Sequence, residues 1–511
     1  MHAKTFSATL QGIDGLVIEV EAVSQKSLPQ IHITGLPGDV IRESRERVRA
    51  CLVNLGFDIP SSRLVIHLSP ASARKQGSQF DLAIAMGVLV SEGMLFDSDL
   101  SAFAFLGELS LDGRIQPIPG AVALIEALER EPQIKTILLP QGNEWEAGLA
   151  SRGKVKLVNN IVEVIDFIRG KMTLESATTL PKVPQSLGVV PNIDLVRGQS
   201  LAKRAMQIAL AGRHHLLLVG PPGVGKSLLA GCAPALLPPL ADEEMIEIVK
   251  NYSLLFDPKT FNFRRPFRSP HHSVSASALL GGGSGQVIPG EVTLAHGGVL
   301  FLDEFPEFRR DVVEGIREPL QSGEIHLHRI GHALRLPARF TLIAAMNPCP
   351  CGYSLSPQVR CRCPVEKIRG YRKRVSGPLL DRMDLCVVLN PPRTEAPGPI
   401  RAPFTQREIG LSIQSAWVLQ EKRFRQTPGV RQNGDLAILD ADLDFHLEKP
   451  EKDWLDALTK KELMSYRGLA KILKVARTIA DLEQSSSILL SHLSEAWSLR
   501  CQSLSTELFG F

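Results

Sequence analysis

The feature that most constrains this chain is a glycine-rich loop at positions 220–227, which reads GPPGVGKS. It follows the apolar run LLLV at 216–219, and it matches the pattern G-x-x-x-x-G-K-[ST] of a phosphate-binding loop. The glycines let backbone N–H groups converge on phosphate oxygens, and the following helix N-terminus adds a favourable dipole. A simple glycine turn before a helix would not require Lys and Ser at the last two positions. The pattern therefore predicts a strand, a loop and a helix that bind a nucleotide.

Each part of this loop has a predicted role. Lys226 would neutralise the β- and γ-phosphates of ATP, and the Ser227 hydroxyl would be a ligand of Mg²⁺. ATP and Mg²⁺ are therefore the expected cofactors. The residues predicted to contact the nucleotide are Gly220, Pro221, Pro222, Gly223, Val224, Gly225, Lys226, Ser227 and Leu228.

Two further apolar runs end in polar residues, as strands of a parallel sheet do where the sheet binds a ligand. The run GGVLFL leads into Asp303, predicted to hold Mg²⁺, and Glu304, predicted to orient and activate the attacking water. The strand predicted at 340–346 leads into Asn347. Asn347 would hold that water or sense the γ-phosphate; the alternative is a turn residue at the end of a strand.

Two arginines are candidates for contact with the γ-phosphate. Arg382, in the segment SGPLLDRMD, is a candidate finger that reaches the nucleotide of a neighbouring subunit. The alternative is a surface ion cluster with Asp381 and Asp384. Arg467 precedes a stripe of apolar residues at helical spacing. It would reach the nucleotide from its own lid, or it would only solvate the start of the helix.

The length and the composition of the chain limit the class of protein to which it can belong. A chain of 511 residues is too long for one core, and 44% hydrophobic with 22% charged residues is typical of soluble globular proteins. We expect a cytoplasmic protein without a membrane partner, because no apolar run could cross a bilayer and the N-terminus lacks the apolar region of a secretory signal. Eight cysteines are too few for a disulfide scaffold.

Shifts in composition predict the domain boundaries. One of them is a proline-rich stretch, NPPRTEAPGPIRAP, which can form neither a helix nor a central strand. The expected fold class is α/β. The predicted division is an N-terminal domain at 1–170, a linker at 171–188, a nucleotide-binding core at 189–392, a proline-rich linker at 393–404 and a helical lid at 405–511.

These motifs, with the run PFRSPHH at 266–272 and the glycines at 281–283, resemble the magnesium-chelatase-like branch of AAA+ ATPases. Within that branch, the layout of essentially the whole chain resembles the ComM/YifB competence-related proteins. The resemblance implies a parallel-sheet P-loop NTPase core with sensor 1 at Asn347, the arginine finger at Arg382 and sensor 2 at Arg467. It also implies homo-hexameric rings with DNA in the central pore and a helicase role in branch migration during recombination of incoming single strands.

The N-terminal domain resembles the proteolytic domain of Lon, an α/β fold related to part of ribosomal protein S5, through the segments GELSLDGR and PIPG. The Lon mechanism needs a Ser nucleophile and a Lys base. Gln79 and Val122 fall at these two positions, and neither can perform that chemistry. Ser78 is adjacent, but it is one residue out of register. The resemblance therefore implies a Lon-like fold that acts as a scaffold or DNA-guiding collar without protease activity.

Two segments favour contact with DNA. The sequence EIHLHRIGHALRL at 324–336 predicts a β-hairpin, and an ordinary solvent-exposed hairpin is the alternative. Residues 360–374 carry seven Lys or Arg against one acid, which could neutralise phosphates or form a solvated basic face. The candidate DNA contacts are His328, Arg329, His332, Arg369, Arg372 and Lys373.

Four cysteines crowd into residues 349–363 as two C-x-C pairs. Four thiolates could close a tetrahedral zinc site and stiffen the loop that carries the basic run. The alternative is four reduced thiols. The cysteines are Cys349, Cys351, Cys361 and Cys363.

The leading functional hypothesis is an ATP-driven hexameric translocase of branched and single-stranded DNA. The alternative is a chelatase-like or protein-remodelling motor that does not translocate DNA, against which the added Lon-like domain stands. An ATP-dependent protease is disfavoured by Gln79 and Val122.

Overall fold

The structure is a computed structural model, and all structural statements below concern the residues that it describes. These are residues 2–25, 30–57, 63–95, 100–177, 190–254, 264–283, 288–329, 332–356, 359–390, 405–437, 445, 447–462 and 465–500. The chain divides into two compact units. The first comprises residues 1–185 and 241–263, and the second comprises residues 186–240 and 264–511.

A seven-stranded mixed sheet forms the centre of the first unit, in the order β3-β4-β2-β1-β5-β8-β9. β1, β2 and β4 pair antiparallel, and the other neighbours pair parallel. The strands of this unit, including the separate two-stranded β6–β7 ribbon, are β1 His2–Gln11, β2 Asp14–Gln25, β3 Gln30–Thr34, β4 Arg63–Ser69, β5 Phe103–Phe105, β6 Glu108–Leu109, β7 Ile115–Gln116, β8 Thr136–Pro140 and β9 Val155–Val158.

Helices cover this sheet. The second of them is apolar on almost all sides, and ten of its eleven residues are buried, as expected for a helix enclosed by a core. The helices of the unit are α1 Asp39–Asn54, α2 Asp81–Ser91, α3 Ala121–Glu129, α4 Glu144–Ala150, α5 Ile161–Ile168 and α9 Asp242–Ser253.

The helix α9 is inserted, along the chain, between segments of the second unit, yet it packs within the first. Lys250 binds two carboxylates of the first unit, with its Nζ 2.7 Å from Asp14 Oδ1 and 2.9 Å from Glu126 Oε2. The Gly120 N–H donates to the Ser253 carbonyl at 3.2 Å. Polar bonds therefore hold α9 in the first unit along its second half.

A five-stranded parallel sheet forms the centre of the second unit, in the order β11-β14-β17-β10-β18. Its central strands are buried along their whole length, as a parallel sheet covered on both faces requires. The strands of this unit, including two antiparallel hairpins, are β10 Leu216–Val219, β11 Phe267–Arg268, β12 Gly281–Gly282, β13 Ile288–Pro289, β14 Val299–Leu302, β15 Glu324–Arg329, β16 His332–Pro337, β17 Thr341–Met346 and β18 Leu385–Val388.

The helices of the second unit flank this sheet and continue into the C-terminal part, where α18 carries the predicted apolar stripe. They are α6 Ser200–Gly212, α7 Lys226–Gly231, α8 Ala233–Leu236, α10 Ala276–Leu280, α11 Glu291–Leu294, α12 Arg310–Gly315, α13 Pro319–Ser322, α14 Val365–Arg372, α15 Gly377–Leu380, α16 Gln406–Phe424, α17 Lys449–Glu462, α18 Tyr466–Leu482 and α19 Leu490–Ser498.

The expected α/β class, with a parallel-sheet core and C-terminal helices, is confirmed. Within the described ranges, no helix combines the length and the apolar character needed to span a bilayer. The domain boundaries stay a prediction, since residues 178–189 and 391–404, which cover most of both predicted linkers, lie outside the described residues.

Candidate nucleotide-binding site

Three neighbouring strands of the second sheet bring the predicted site together at one edge. β10 leads into the glycine-rich loop and α7, β14 leads into Asp303 and Glu304, and β17 leads into Asn347. The strands are parallel and adjacent, with Val219 opposite Met346 and Leu302 opposite Ala344. Their carboxyl ends therefore meet at the edge where open α/β sheets bind ligands.

The glycine-rich loop needs glycine at several positions for geometric reasons. Gly223 and Gly225 have φ values of 77° and 96°, which lie in the left-handed region. A Cβ on Gly220 would lie 2.8 Å from the carbonyl oxygen of Leu389, the residue that follows β18. The loop can therefore turn tightly and begin α7 at Lys226 because its glycines carry no side chain.

Lys226 is buried and fully engaged at the centre of the loop. Its Nζ donates to the carbonyls of Gly220 and Pro221 at 2.7 and 2.9 Å, and to Asn347 Oδ1 at 3.1 Å. Burial lowers the pKa of Lys226, while Asp303 and Glu304 oppose the change. The ammonium group thus lies between the loop and the end of β17, where a phosphate chain held by the loop would meet it.

Ser227 and Asp303 bring a hydroxyl and a carboxylate together at the mouth of the loop. The Ser227 hydroxyl donates to Asp303 Oδ2 at 2.5 Å, and Asp303 Oδ1 accepts the Glu304 backbone N–H at 2.9 Å. A hydroxyl and a carboxylate at the mouth of a phosphate loop are the donor set that Mg²⁺ takes together with phosphate oxygens. The residues present therefore fit the expected ion.

Glu304 adopts an unusual backbone conformation and has a partner that sequence analysis did not assign. Its φ is 51°, in the left-handed region, and its side chain is 57% exposed. The Nδ1 of His272 lies 3.3 Å from Glu304 Oε2, and the His271 ring lies beside His272, with centroids 4.0 Å apart and ring planes 35° apart. The signal in the sequence was the histidine pair of PFRSPHH, whose segment was matched to a pore insertion of the family and not to the nucleotide site.

A cleft of about 320 Å³ joins these groups. It is lined by Asp303, Glu304, Asn347 and Met346 together with part of the predicted loop set. Six loop residues line it, whereas Gly220, Pro221 and Val224 do not; the six are Pro222, Gly223, Gly225, Lys226, Ser227 and Leu228.

Arg382 and Arg467 lie together in a second cleft of about 440 Å³ and do not line the first. Arg467 pairs with Asp381 at 3.1 Å, and Arg382 donates to Gln321 Oε1 at 2.9 Å. Burial lowers the pKa of Arg382, and the nearby cations Arg317 and Arg467 lower it further. The Nε of Arg382 is buried without a hydrogen-bond partner.

The candidate DNA-binding residues divide into three groups. The side chains of His328, Arg329 and His332 lie outside the described part of the chain, although β15 and β16 form the predicted hairpin and pair Arg329 with His332. Arg369 and Lys373 are exposed at the end of α14. The Arg372 side chain is half-buried and donates through Nε to the Pro348 carbonyl at 2.9 Å, so it faces the cysteine loop.

The four cysteines meet although the two pairs are separated along the chain. Sγ of Cys349 lies 3.4 Å from that of Cys351 and 3.7 Å from that of Cys361, and all four sulfurs lie within 4.8 Å of one another. The backbone N–H of Tyr353 lowers the pKa of the Cys351 thiol to about 6, with the neighbouring thiols as further donors.

In the first unit, the two positions of the Lon dyad are buried and engaged elsewhere. Gln79 is 5% exposed and donates to the Gln76 carbonyl at 2.8 Å, while Val122 is fully buried in α3. The Ser78 hydroxyl donates to a carboxylate oxygen of Glu108. The hydroxyl of Ser78 therefore bonds to an acid and not to a lysine.

Comparisons with known proteins cover almost the whole chain. Three family models match: "Magnesium chelatase, subunit ChlI" at residues 192–396, "Subunit ChlI of Mg-chelatase" at 18–143, and "Magnesium chelatase, subunit ChlI C-terminal" at 405–500. The protein named Uncharacterized protein YifB from Escherichia coli is 38% identical over 500 residues, which cover 96% of this chain and 95% of that protein.

Two other relatives are informative. Competence protein ComM of Haemophilus influenzae is 35% identical over 507 residues, which cover 98% of this chain and 97% of that protein. Lon protease of Mycolicibacterium smegmatis is 29% identical over 140 residues, which cover 26% of this chain and 18% of that protein. The family models and the two near full-length relatives agree with the resemblance carried by the motifs. The chain belongs to the ComM/YifB family of magnesium-chelatase-like AAA+ ATPases.

Proposed function

We propose that this chain is a cytoplasmic, ATP-driven DNA translocase that acts on branched and single-stranded DNA as a hexameric ring. The observation that carries the ATPase part is the meeting of Lys226, Ser227, Asp303, Glu304 and Asn347 in one cleft at the carboxyl edge of the sheet. The translocase part is supported by the relative named Competence protein ComM and by the predicted DNA contacts.

In this proposal, each side chain of the cleft has one task in hydrolysis. Lys226 binds the β- and γ-phosphates, and Asn347, already 3.1 Å from its Nζ, positions the attacking water or the γ-phosphate. The exposed Glu304 carboxylate accepts the proton of that water. Ser227 and Asp303 hold Mg²⁺, which supplies positive charge to the phosphate oxygens when it is bound.

We further propose that Arg382 and Arg467 act on the nucleotide of a neighbouring protomer. Both lie in a cleft separate from that of Lys226, so the expectation that Arg467 reaches the nucleotide of its own protomer has less support. The buried Nε of Arg382 has no partner, and its N–H can donate a hydrogen bond to an anion that comes within reach. An arginine supplied by a neighbour would make hydrolysis depend on ring assembly.

DNA contact is proposed at the β15–β16 hairpin and at the exposed end of α14. Arg369 and Lys373 are exposed to solvent, with only the exposed Glu366 3.7 Å from Arg369, whereas Arg372 is the weaker candidate because it faces the Pro348 carbonyl. The second candidate function, a chelatase-like or protein-remodelling motor, is favoured by the matched family models, which are described as magnesium chelatase subunits.

We also propose that the Lon-like unit is not a protease and that the four cysteines bind zinc. The buried amide at Gln79 and the alkyl group at Val122 support the first statement, because neither can attack or deprotonate. The sulfur spacing supports the second. Four thiolates at the usual Zn–S distance of about 2.3 Å stand about 3.8 Å apart in a tetrahedron. The three separations among Cys349, Cys351 and Cys361 are 3.4, 3.5 and 3.7 Å, and all four sulfurs lie within 4.8 Å of one another.

The ATPase rate with different DNA partners tests the proposal. We expect a three-way junction to stimulate hydrolysis more than single strands, duplex or no DNA. Lys373→Glu should reduce this stimulation and weaken DNA binding, while Lys452→Glu on the exposed surface of α17 serves as the matched charge reversal. Hydrolysis that is unaffected by every DNA would favour the chelatase-like alternative, and absence of hydrolysis would refute the nucleotide site itself.

A further inference from the structure

The cysteine cluster and the nucleotide cleft are joined by short covalent and packing connections. Asn347, whose Oδ1 accepts from Lys226 at 3.1 Å, is only two residues before Cys349. Cys349 is fully buried and its sulfur lies within 3.7 Å of Cys351 and Cys361. Whatever fixes the position of Cys349 therefore also limits where the Asn347 amide can be.

A second connection runs from the cysteine loop to the phosphate loop. Gly352 follows Cys351 with a φ of 86°, and a Cβ built on it would lie 2.4 Å from Cδ of Pro222. Pro222 lines the nucleotide cleft. The turn that carries one of the metal-binding cysteines thus rests directly against the loop that would bind the phosphates.

The helix that follows the second cysteine pair supplies a third connection. Arg372, on α14, donates through Nε to the carbonyl of Pro348 at 2.9 Å. Tyr371, the residue before Arg372, is buried; burial raises the pKa of its hydroxyl to about 12, and the neighbouring backbone of Asn347 opposes part of that rise. The helix that follows the cysteine cluster is therefore tied to the short stretch between the proposed sensor, Asn347, and the first cysteine.

We propose that zinc bound by the four cysteines holds Asn347 and Pro222 in the geometry that binds ATP, so that metal occupancy controls nucleotide affinity and turnover. This inference rests on the zinc site and the nucleotide site proposed above. Without the metal, four thiols gather only through weak contacts, and the loop from 349 to 363 loses the crosslink between its two ends. Displacement of catalytic groups by about 1 Å can lower a rate about 100-fold.

The test compares full-length wild type with Cys361→Ser/Cys363→Ser, which leaves the cysteine pair next to Asn347 unchanged. Zinc is measured by elemental analysis, and nucleotide binding is measured with a fluorescent non-hydrolysable ATP analogue and Mg²⁺. We expect about one zinc per wild-type chain, its loss in the double variant, and analogue binding and ATPase activity that are at least about tenfold weaker. Arg360→Ala, an exposed non-ligand of the same loop, should retain zinc and wild-type binding.

Gly352→Ala tests the contact without removing a ligand. It should retain zinc but weaken analogue binding, since the new methyl group displaces Pro222. Gly198→Ala is its matched control, because Gly198 also has a left-handed φ, of 61°, but nothing within 4 Å of an added Cβ. If the double variant fails to fold, chelation of zinc from folded wild type and restoration with Zn²⁺ give the same comparison.

The outcomes separate the proposals. A zinc-free double variant that binds the analogue as wild type does would overturn the coupling and leave the zinc site standing. If the purified wild-type protein contains no zinc, both the zinc site and its coupling to the nucleotide site are refuted. A zinc-containing wild type that binds no analogue refutes the nucleotide site and, with it, the coupling. Wild-type affinity in zinc-loaded Gly352→Ala also contradicts the inference, since the contact would then have no effect.

Discussion

We expect one buried histidine, His214, to make the second unit less stable in mild acid. Its side chain is 1% exposed, and its Nε2 lies 2.7 Å from the Thr478 hydroxyl. That hydroxyl donates to the Lys474 carbonyl at 3.0 Å and accepts from the Asn433 amide at 2.9 Å. The hydroxyl has a single proton, so His214 must be the donor to Thr478, and the neutral ring carries its hydrogen on Nε2.

A second proton would bind at Nδ1 of His214. The carboxylate oxygen Oδ2 of Asp384 lies 4.0 Å from that nitrogen. Burial lowers the pKa of His214 from 6.5 to about 4. Asp384 opposes this change, while the surrounding basic groups add to it; these are Lys474, His215 and Lys471. The charge is therefore much easier to accommodate in the unfolded chain than in the folded one.

The sign of the pH dependence follows because the pKa of His214 is lower in the folded chain than in the unfolded chain. As pH falls below about 6.5, the unfolded state binds the proton while the native state does not, so the free energy of unfolding decreases until pH reaches the native pKa of about 4. Between pH values of about 7.5 and about 5, linkage gives a loss of about 2 kcal/mol from this residue. Above about pH 6.5 its stabilising contribution is fully present.

Urea unfolding at these two pH values measures the loss. Three of the four tryptophans, Trp417, Trp454 and Trp497, belong to the second unit, so tryptophan fluorescence reports mainly on that unit. His214→Gln is the comparison, because the glutamine amide can donate to Thr478 but cannot ionise. The acid-induced loss should be smaller in the variant by about 2 kcal/mol. The same pH dependence in both proteins would refute the reasoning.

Three other predictions concern the nucleotide site, the assembly and the first unit. Glu304→Gln should bind ATP normally and hydrolyse it about 10²- to 10⁴-fold more slowly, measured by steady-state phosphate release. Arg382→Ala should lower turnover about 10³-fold or more, and mixing it with Lys226→Ala protein should restore some activity in shared sites. Arg47→Ala should reduce the stability of the first unit to urea by about 3–5 kcal/mol, because it leaves the fully buried Asp81 carboxylate without the guanidinium 2.8 Å away.

Each of these predictions has a distinct contrary result. Normal turnover in Glu304→Gln would remove the proposed base. Absence of recovery in the Arg382→Ala and Lys226→Ala mixture would count against an arginine supplied by a neighbour. For the ion pair, Asp81→Asn in the Arg47→Ala background should recover part of the stability, and no recovery would show that lost packing, not an unpaired charge, caused the effect.

Local patterns located much of the nucleotide site. LLLV, VLFL and the run before Asn347 are observed as β10, β14 and β17, because a buried parallel strand needs a continuous apolar run and a ligand edge needs polar residues directly after it. The Glu324–Leu336 hairpin and the α18 stripe were predictable for the same reason, since their periods are properties of neighbouring residues.

Contacts between residues far apart in the chain were not predictable in this way. No sequence period places His272 beside Glu304, Gly352 against Pro222 or Arg467 beside Asp381. Each depends on how loops pack after the sheet has formed. The spacing of the cysteine pairs suggested that they could meet, but not that their turn would rest on the phosphate loop.

The inserted helix α9 has a practical consequence for dissecting this chain. Because residues 241–263 belong with the first unit, the backbone passes from one unit to the other three times, and no single cut yields two intact pieces. A fragment that begins at residue 186 would retain Asp242–Ser253 but lose Asp14 and Glu126, to which its Lys250 binds. A usable motor fragment therefore requires a short replacement linker in place of that helix, and a protease that nicks the chain near residue 186 should leave both halves associated.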